Sequence, residues 1–138
     1  MSDTGVDLKY VHFQQSFAAV AEEINEWAER KGWNEDDPRR WLYLDRTGKG
    51  EAAVISHDIS KIGLMGTELA EAIEGVRHGN PPSDKIGDAG FNQVEEELAD
   101  TIIRIMHFSA QRGYRVGEAV IAKLSYNEKR PYKHGKLA

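Results

Sequence analysis

The residues best suited to chemistry are acidic and come in two pairs. Glu68-Leu69-Ala70-Glu71 and Glu97-Leu98-Ala99-Asp100 each place two carboxylates three positions apart. On a helix each residue turns by about 100°, so the two members of a pair lie about 60° apart on one face. If the two faces meet, all the carboxylates converge, and like charges cannot stay together dry and unpaired. A hard divalent cation such as Mg²⁺ or Mn²⁺ resolves that conflict through oxygen ligands. From the spacing alone, two solvated helix faces are the commoner arrangement. One detail favours partial burial. Glu68 is bordered by Met65, Leu69 and Ala72, at the shoulder of an apolar stripe, and a buried charge needs a partner. Lys61 lies two turns before Glu68 on that side, and His107 two turns after Asp100.

Helices must position these groups, and helical periodicity dominates the chain. A first helix is expected over about 11–31, with Phe13, Phe17, Val20, Ile24, Trp27 and Ala28 recurring at spacings of three and four before Gly32. The stretch 33–54 is irregular, with a short helix around 40–44. A second helix is expected over about 56–78, with a stripe of Ile62, Met65, Leu69, Ile73 and Val76. The loop "HGNPPSDKIGDAG" cannot continue it. A third helix is expected over about 91–112, with Val94, Leu98, Ile102, Ile105 and Met106 facing inward, and a fourth over about 116–129, halted by Pro131. No alternating strand is visible, so the expectation is one all-α domain over 1–138, with less ordered tails at 1–10 and 132–138.

Composition narrows the functions. A chain of 138 residues supports one core. There is no cysteine, which excludes disulfides and thiolate metal sites and fits a reducing, cytoplasmic location. The N-terminus lacks the pattern of a secretory signal, and no apolar run reaches the roughly 18 residues that span a bilayer. A net charge of −5 argues against a nucleic acid polymer as partner. A phosphorylated small molecule remains compatible if a cation bridges the like charges. A ferritin-like di-iron bundle needs Glu-x-x-His, which is absent from this sequence. His57, His78 and His107 lack the spacing of a zinc site and are read as surface groups or supports of other side chains.

Glu68-x-x-Glu71 followed by Glu97-x-x-Asp100 resembles the ExxE…ExxD signature of the MazG-like all-α nucleoside triphosphate pyrophosphohydrolases. "KIGLMGTELAEAIEGVRHG", which begins at Lys61, resembles that family's second helix, and "EEELADTIIRIMHFSAQRGY" its third. "AKLSYNEKRPYKHGK" resembles the closing segment of one subgroup, and "INEWAERKGW" the end of its first helix. The likeness covers roughly 20–136. One departure is Thr67, where many members carry a further glutamate; it bears on how many ions are held.

The resemblance implies a four-to-five-helix antiparallel bundle that assembles as a homodimer or a dimer of dimers. It implies cleavage of a nucleoside triphosphate, with a deoxynucleotide expected, to the monophosphate and pyrophosphate. Glu68, Glu71, Glu97 and Asp100 would hold two or three Mg²⁺, with Mn²⁺ able to substitute. Glu71, beside Glu68, is the candidate for accepting the proton of the attacking water. Lys61, Lys123, Asn127 and Arg130 would contact phosphate. The last three fall within about 60° on the fourth helix, although cations near a helix C-terminus also suit its dipole. Ile24, Trp27 and Trp33 are candidates for the nucleobase, with core packing the competing role for each tryptophan. Lys133 and His134 are candidate tail contacts. Phosphoribosyl-ATP pyrophosphohydrolase is the enzymatic alternative, and a non-catalytic helical dimerisation module the other.

Overall fold

The computed structural model describes residues 7–131. They form four α-helices: α1 (Leu8–Arg30), α2 (Gly50–Arg77), α3 (Gln93–Arg112) and α4 (Val116–Glu128). Short 3₁₀ turns span Pro38–Arg40, Leu42–Leu44 and Gly87–Ala89. Among the described residues there is no strand, only an isolated bridge between Pro82 and Asn92. No described helix is long and apolar enough to cross a membrane. Lys133 and His134 lie outside the described residues.

Local chemistry sets the helix ends. Asp7 accepts from the Lys9 amide and starts α1 three residues earlier than periodicity suggests. Asp45 accepts from the Gly50 amide and so begins α2 six residues early. A Cβ at position 50 would meet the Leu42 Cδ1 methyl and the Asp45 carboxylate, so the glycine lets these side chains approach the start of α2. Asn92 and Glu95 make a reciprocal capping box that moves the start of α3 to Gln93. Gly113, at φ 67°, ends it.

α2 and α3 are antiparallel. Gly75 meets Val94, Glu68 bonds Arg104 and Asp58 bonds Arg112, so contacts climb α3 as they descend α2. α3 also packs along α1, and α4 packs on α1, where Phe17 crowds Gly117. The buried apolar residues are few: Ala21, Ala28, Ala72 and Phe108. The apolar stripes of α2 and α3 face this interior only in part: Met65, Val94, Ile105 and Met106 are half-buried, and the rest turn outward. Ile62, Ile73 and Val76 are 55%, 56% and 65% exposed, and Leu98 and Ile102 are also exposed. The interior between α2 and α3 takes the acidic faces instead, which corrects the inward reading of Leu98 and Ile102.

A buried ion pair braces the end of this pair. The Arg112 side chain is 3% exposed. Its guanidinium donates to both oxygens of Asp37 at 2.7 and 2.9 Å and to Asp58 at 2.7 Å, tying the turn after α1 to α2 and α3. Replacing it leaves a buried aspartate without a counter-charge. Arg112→Leu is expected to lower the unfolding free energy by about 3–5 kcal/mol, measured by urea denaturation. The pH dependence has a definite sign. Burial raises Asp37, but the Arg112 hydrogen bonds, the Arg39 amide and the charge of Arg112 together outweigh it, and the carboxyl sits below its ordinary 3.8. The Arg112 hydrogen bond likewise lowers Asp58. The stabilisation is therefore present above pH 3.8 and lost as pH falls through the depressed values. In Arg112→Leu this acid loss should shrink.

Candidate metal and nucleotide site

The antiparallel register sets the two acidic pairs against each other. Glu68, Glu97 and Asp100 each offer a carboxylate oxygen, and these atoms lie within 4.8 Å of one another. Glu68 is 8% exposed and Glu97 6%, so neither stands on a solvated face. Glu71 is more exposed and stands at the edge of the group, near enough to perturb the carboxyls of Glu68 and Glu97. Glu97 Oε2 is sealed from solvent with no hydrogen-bond partner among the described residues.

The electrostatics follow from this crowding. Burial, then the neighbouring Glu68 and Glu71, push the Glu97 carboxyl up to about 8. Burial and the charge of Glu68 raise Asp100 as well. Burial also works to raise Glu68, but Arg104 Nε donates to its Oε1 at 2.9 Å, and that bond, with the neighbouring Glu97 and Glu71 carboxyls, leaves it lowered. One guanidinium thus pairs with one carboxylate, and among the described residues no ion pair reaches Glu97 or Asp100, although the charges of Lys85 and Arg104 act on Asp100. All the donors are hard oxygens, and a sealed, unpaired carboxylate oxygen is what an ion ligand looks like without its ion. The residues present fit Mg²⁺ or Mn²⁺.

The acidic group opens into a cleft of about 520 Å³. Lys61, Lys85 and Arg104 line it on the polar side. α1 and the turn after it supply Ile24, Trp27, Ala28 and Trp33. The rings of Trp27 and Trp33 meet edge to face at 4.8 Å and 86°. Neither is buried: they are 42% and 54% exposed, so core packing is not their role. Trp41 lies elsewhere, donating its indole N–H to the Glu35 carbonyl beside a separate recess.

Lys61, Ile24, Trp27 and Trp33 thus gather with Glu68, Glu71 and Asp100 in one cleft, while Glu97 stands against Glu68 and Asp100 and lines a separate recess beside Pro81 and Pro82. Lys123, Asn127 and Arg130 do not line it in a single chain. They lie on or just after α4, where Lys123 Nζ sits 4.4 Å from the Tyr126 ring centre and Asn127 Oδ1 is sealed without a hydrogen bond among the described residues.

Three contributors escape a reading of the tetrapeptides. Arg104 follows Glu97 by seven and Asp100 by four on the same helix face, so periodicity could have found it. Lys85 comes from the 78–92 loop, which Ser83 pins by donating to the buried Glu96; no periodic signal marks it. Asn34, buried in the turn after α1, bonds the cleft residue His107 at 2.7 Å. Comparison of the chain with protein-family models, curated proteins and solved structures finds no match.

Proposed function

We propose that this protein is a metal-dependent nucleoside triphosphate pyrophosphohydrolase of the MazG-like type. The observation that supports it most is a buried carboxylate cluster, with an unpaired oxygen on Glu97, whose members Glu68 and Asp100 line a cleft with two exposed tryptophan faces. Glu68, Glu97 and Asp100 are the ion ligands. A bound ion would neutralise phosphate charge and acidify a water beside it. Glu71, at the edge of the group, accepts that water's proton as its oxygen bonds the α-phosphorus. The bond from the α-phosphorus to the bridging oxygen breaks, leaving a monophosphate and pyrophosphate. Lys61, Lys85 and Arg104 offer cationic contacts to the phosphate chain. Trp27 and Trp33 offer stacking surface to the base. The choice of the α-phosphorus rests on the family resemblance.

Hydrolysis in ¹⁸O-water locates the attack. Mass spectrometry should find the label in the monophosphate, with unlabelled pyrophosphate. A nucleoside diphosphate with labelled orthophosphate would show attack at the γ-phosphorus and overturn this reading.

The same proposal includes assembly. The uncovered stripes of α2 and α3 favour a homodimer or a dimer of dimers, in which a neighbouring copy could bring the α4 cations to the cleft. Self-association of this kind belongs to the enzyme reading and requires no separate scaffolding role.

A further inference from the structure

A chain of hydrogen bonds fixes which nitrogen of His107 carries the proton. It starts at Glu29, whose carboxylate can only accept. Arg40 donates to Glu29 at 2.6 Å, and hydrogen bonds from Asn34 and Arg40 hold the carboxyl below its ordinary range. The Asn34 amide must therefore turn its nitrogen to Glu29, and that Nδ2 donates to Glu29 Oε2 and Asn25 Oδ1, each at 2.9 Å. Asn34 Oδ1 is left facing α3. There it accepts from Gln111 Nε2 at 2.9 Å and lies 2.7 Å from His107 Nε2. Oxygen cannot donate in an amide, so His107 Nε2 must carry hydrogen.

The other nitrogen follows by exclusion. Burial, then the charges of Lys61 and Arg104, push the imidazole down to about 4, so at neutral pH the ring has one proton and it is spent on Asn34. Nδ1 is a lone pair. It has no partner among the described residues, and it is not among the atoms sealed from solvent. His107 lines the cleft beside Trp27, Trp33 and Ile103.

We propose that His107 Nδ1 is the acceptor that selects the base, favouring those with an exocyclic amino group over their keto counterparts. This rests on the nucleotide reading of the cleft. Cytosine and adenine present an N–H donor where uracil, thymine and hypoxanthine present an oxygen. An oxygen there sets lone pair against lone pair, and the Asn34 relay stops the ring from changing tautomer to accommodate it. A site that loses a buried hydrogen bond in this way discriminates more strongly than an apolar pocket of the same shape.

The test compares matched pairs, dCTP with dUTP and dATP with dITP, by kcat/KM for pyrophosphate release. The amino member of at least one pair should lead by at least about tenfold. In His107→Phe, which keeps a ring and removes the acceptor, that ratio should fall to within about twofold of unity through loss on the amino side. Equal rates, or a keto preference, in wild type overturn the proposal while leaving the hydrolase reading intact. So does an unchanged ratio in His107→Phe.

Binding separates the two readings further. Tryptophan fluorescence titrated with dCMP and dUMP, and with dAMP and dIMP, needs no turnover. Tighter quenching by an amino member, with no triphosphate hydrolysed, supports the base selection and defeats the hydrolase. No difference in quenching and no hydrolysis defeats both. Long-range ¹⁵N–¹H NMR of the histidine rings checks the relay without any ligand: a proton on Nε2 of His107 is expected, and a proton on Nδ1 overturns the selection mechanism even where a variant fails to fold.

Discussion

Removing divalent ions with EDTA is expected to abolish nucleotide hydrolysis, and Mg²⁺ or Mn²⁺ to restore it. The reason is the charge balance at the acidic group: Glu68 has Arg104, while Glu97 keeps a buried oxygen without a partner. Glu97→Gln keeps the shape and removes the carboxylate that an ion would bind. Residues that merely orient metal ligands cost about 10–100-fold on mutation, so loss of a direct ligand should exceed about 100-fold in turnover. The substitution relieves carboxylate crowding, so the metal-free protein should not become less stable, and thermal melting checks this. The two readouts move in opposite directions only if Glu97 is held for its ligand role. Full turnover in chelator, or Glu97→Gln acting at the wild-type rate, would remove the metal from the proposal.

The carboxylates were legible because a helix of known period fixes which side chains share a face. Glu68 and Glu71 had to be neighbours, as did Glu97 and Asp100, and a short loop made α2 and α3 neighbours in turn. Even the burial of Glu68 was signalled by its place beside Met65, Leu69 and Ala72. Periodicity does not say what covers a face. The apolar stripes of α2 and α3 read as core, yet the α2–α3 seam is given to the acids, and Ile62, Ile73 and Ile102 are left outside. Nor does it reach into loops. Asn34 and Lys85 enter the site through turns held by side-chain hydrogen bonds: Asn34 on Glu29, and Ser83 on Glu96. Glu29 illustrates the gap. It is the solvated helix residue that its position suggests, and it also orients Asn34, which spacing does not show. Helix starts moved for the same reason, since Asp7 caps α1 and Asp45 holds the first amide of α2, contacts that a periodic pattern does not contain.

The uncovered stripe leads to the second large effect: one glutamate placed in it should dissolve the assembly and the activity together. Ile55, Ile59, Ile62, Leu69, Ile73 and Val76 recur at helical spacing along α2, all exposed, with Leu98 and Ile102 on α3. A contiguous aliphatic face of this length exceeds what a monomer ordinarily leaves to water. Each such side chain contributes about 1.5–3 kcal/mol when fully buried. A second copy is the natural cover, because a two-fold interface sets the same patch against itself. Wild-type protein should therefore run as a dimer or tetramer by light scattering with size exclusion at micromolar concentration. In Ile62→Glu the new charge enters the interface twice, once from each copy, and burying an unpaired carboxylate costs several kcal/mol. The variant should run as a monomer. Its helices should survive, since Ile62 is 55% exposed within one chain and supports little there. Circular dichroism separates that outcome from unfolding. Activity should be lost with the assembly, because the α4 cations Lys123 and Arg130 do not line the cleft of a single chain. A wild-type monomer that still hydrolyses nucleotide would sink the claim that the site is completed across an interface, and the carboxylate chemistry would then have to proceed with Lys61, Lys85 and Arg104 as the cations of the cleft.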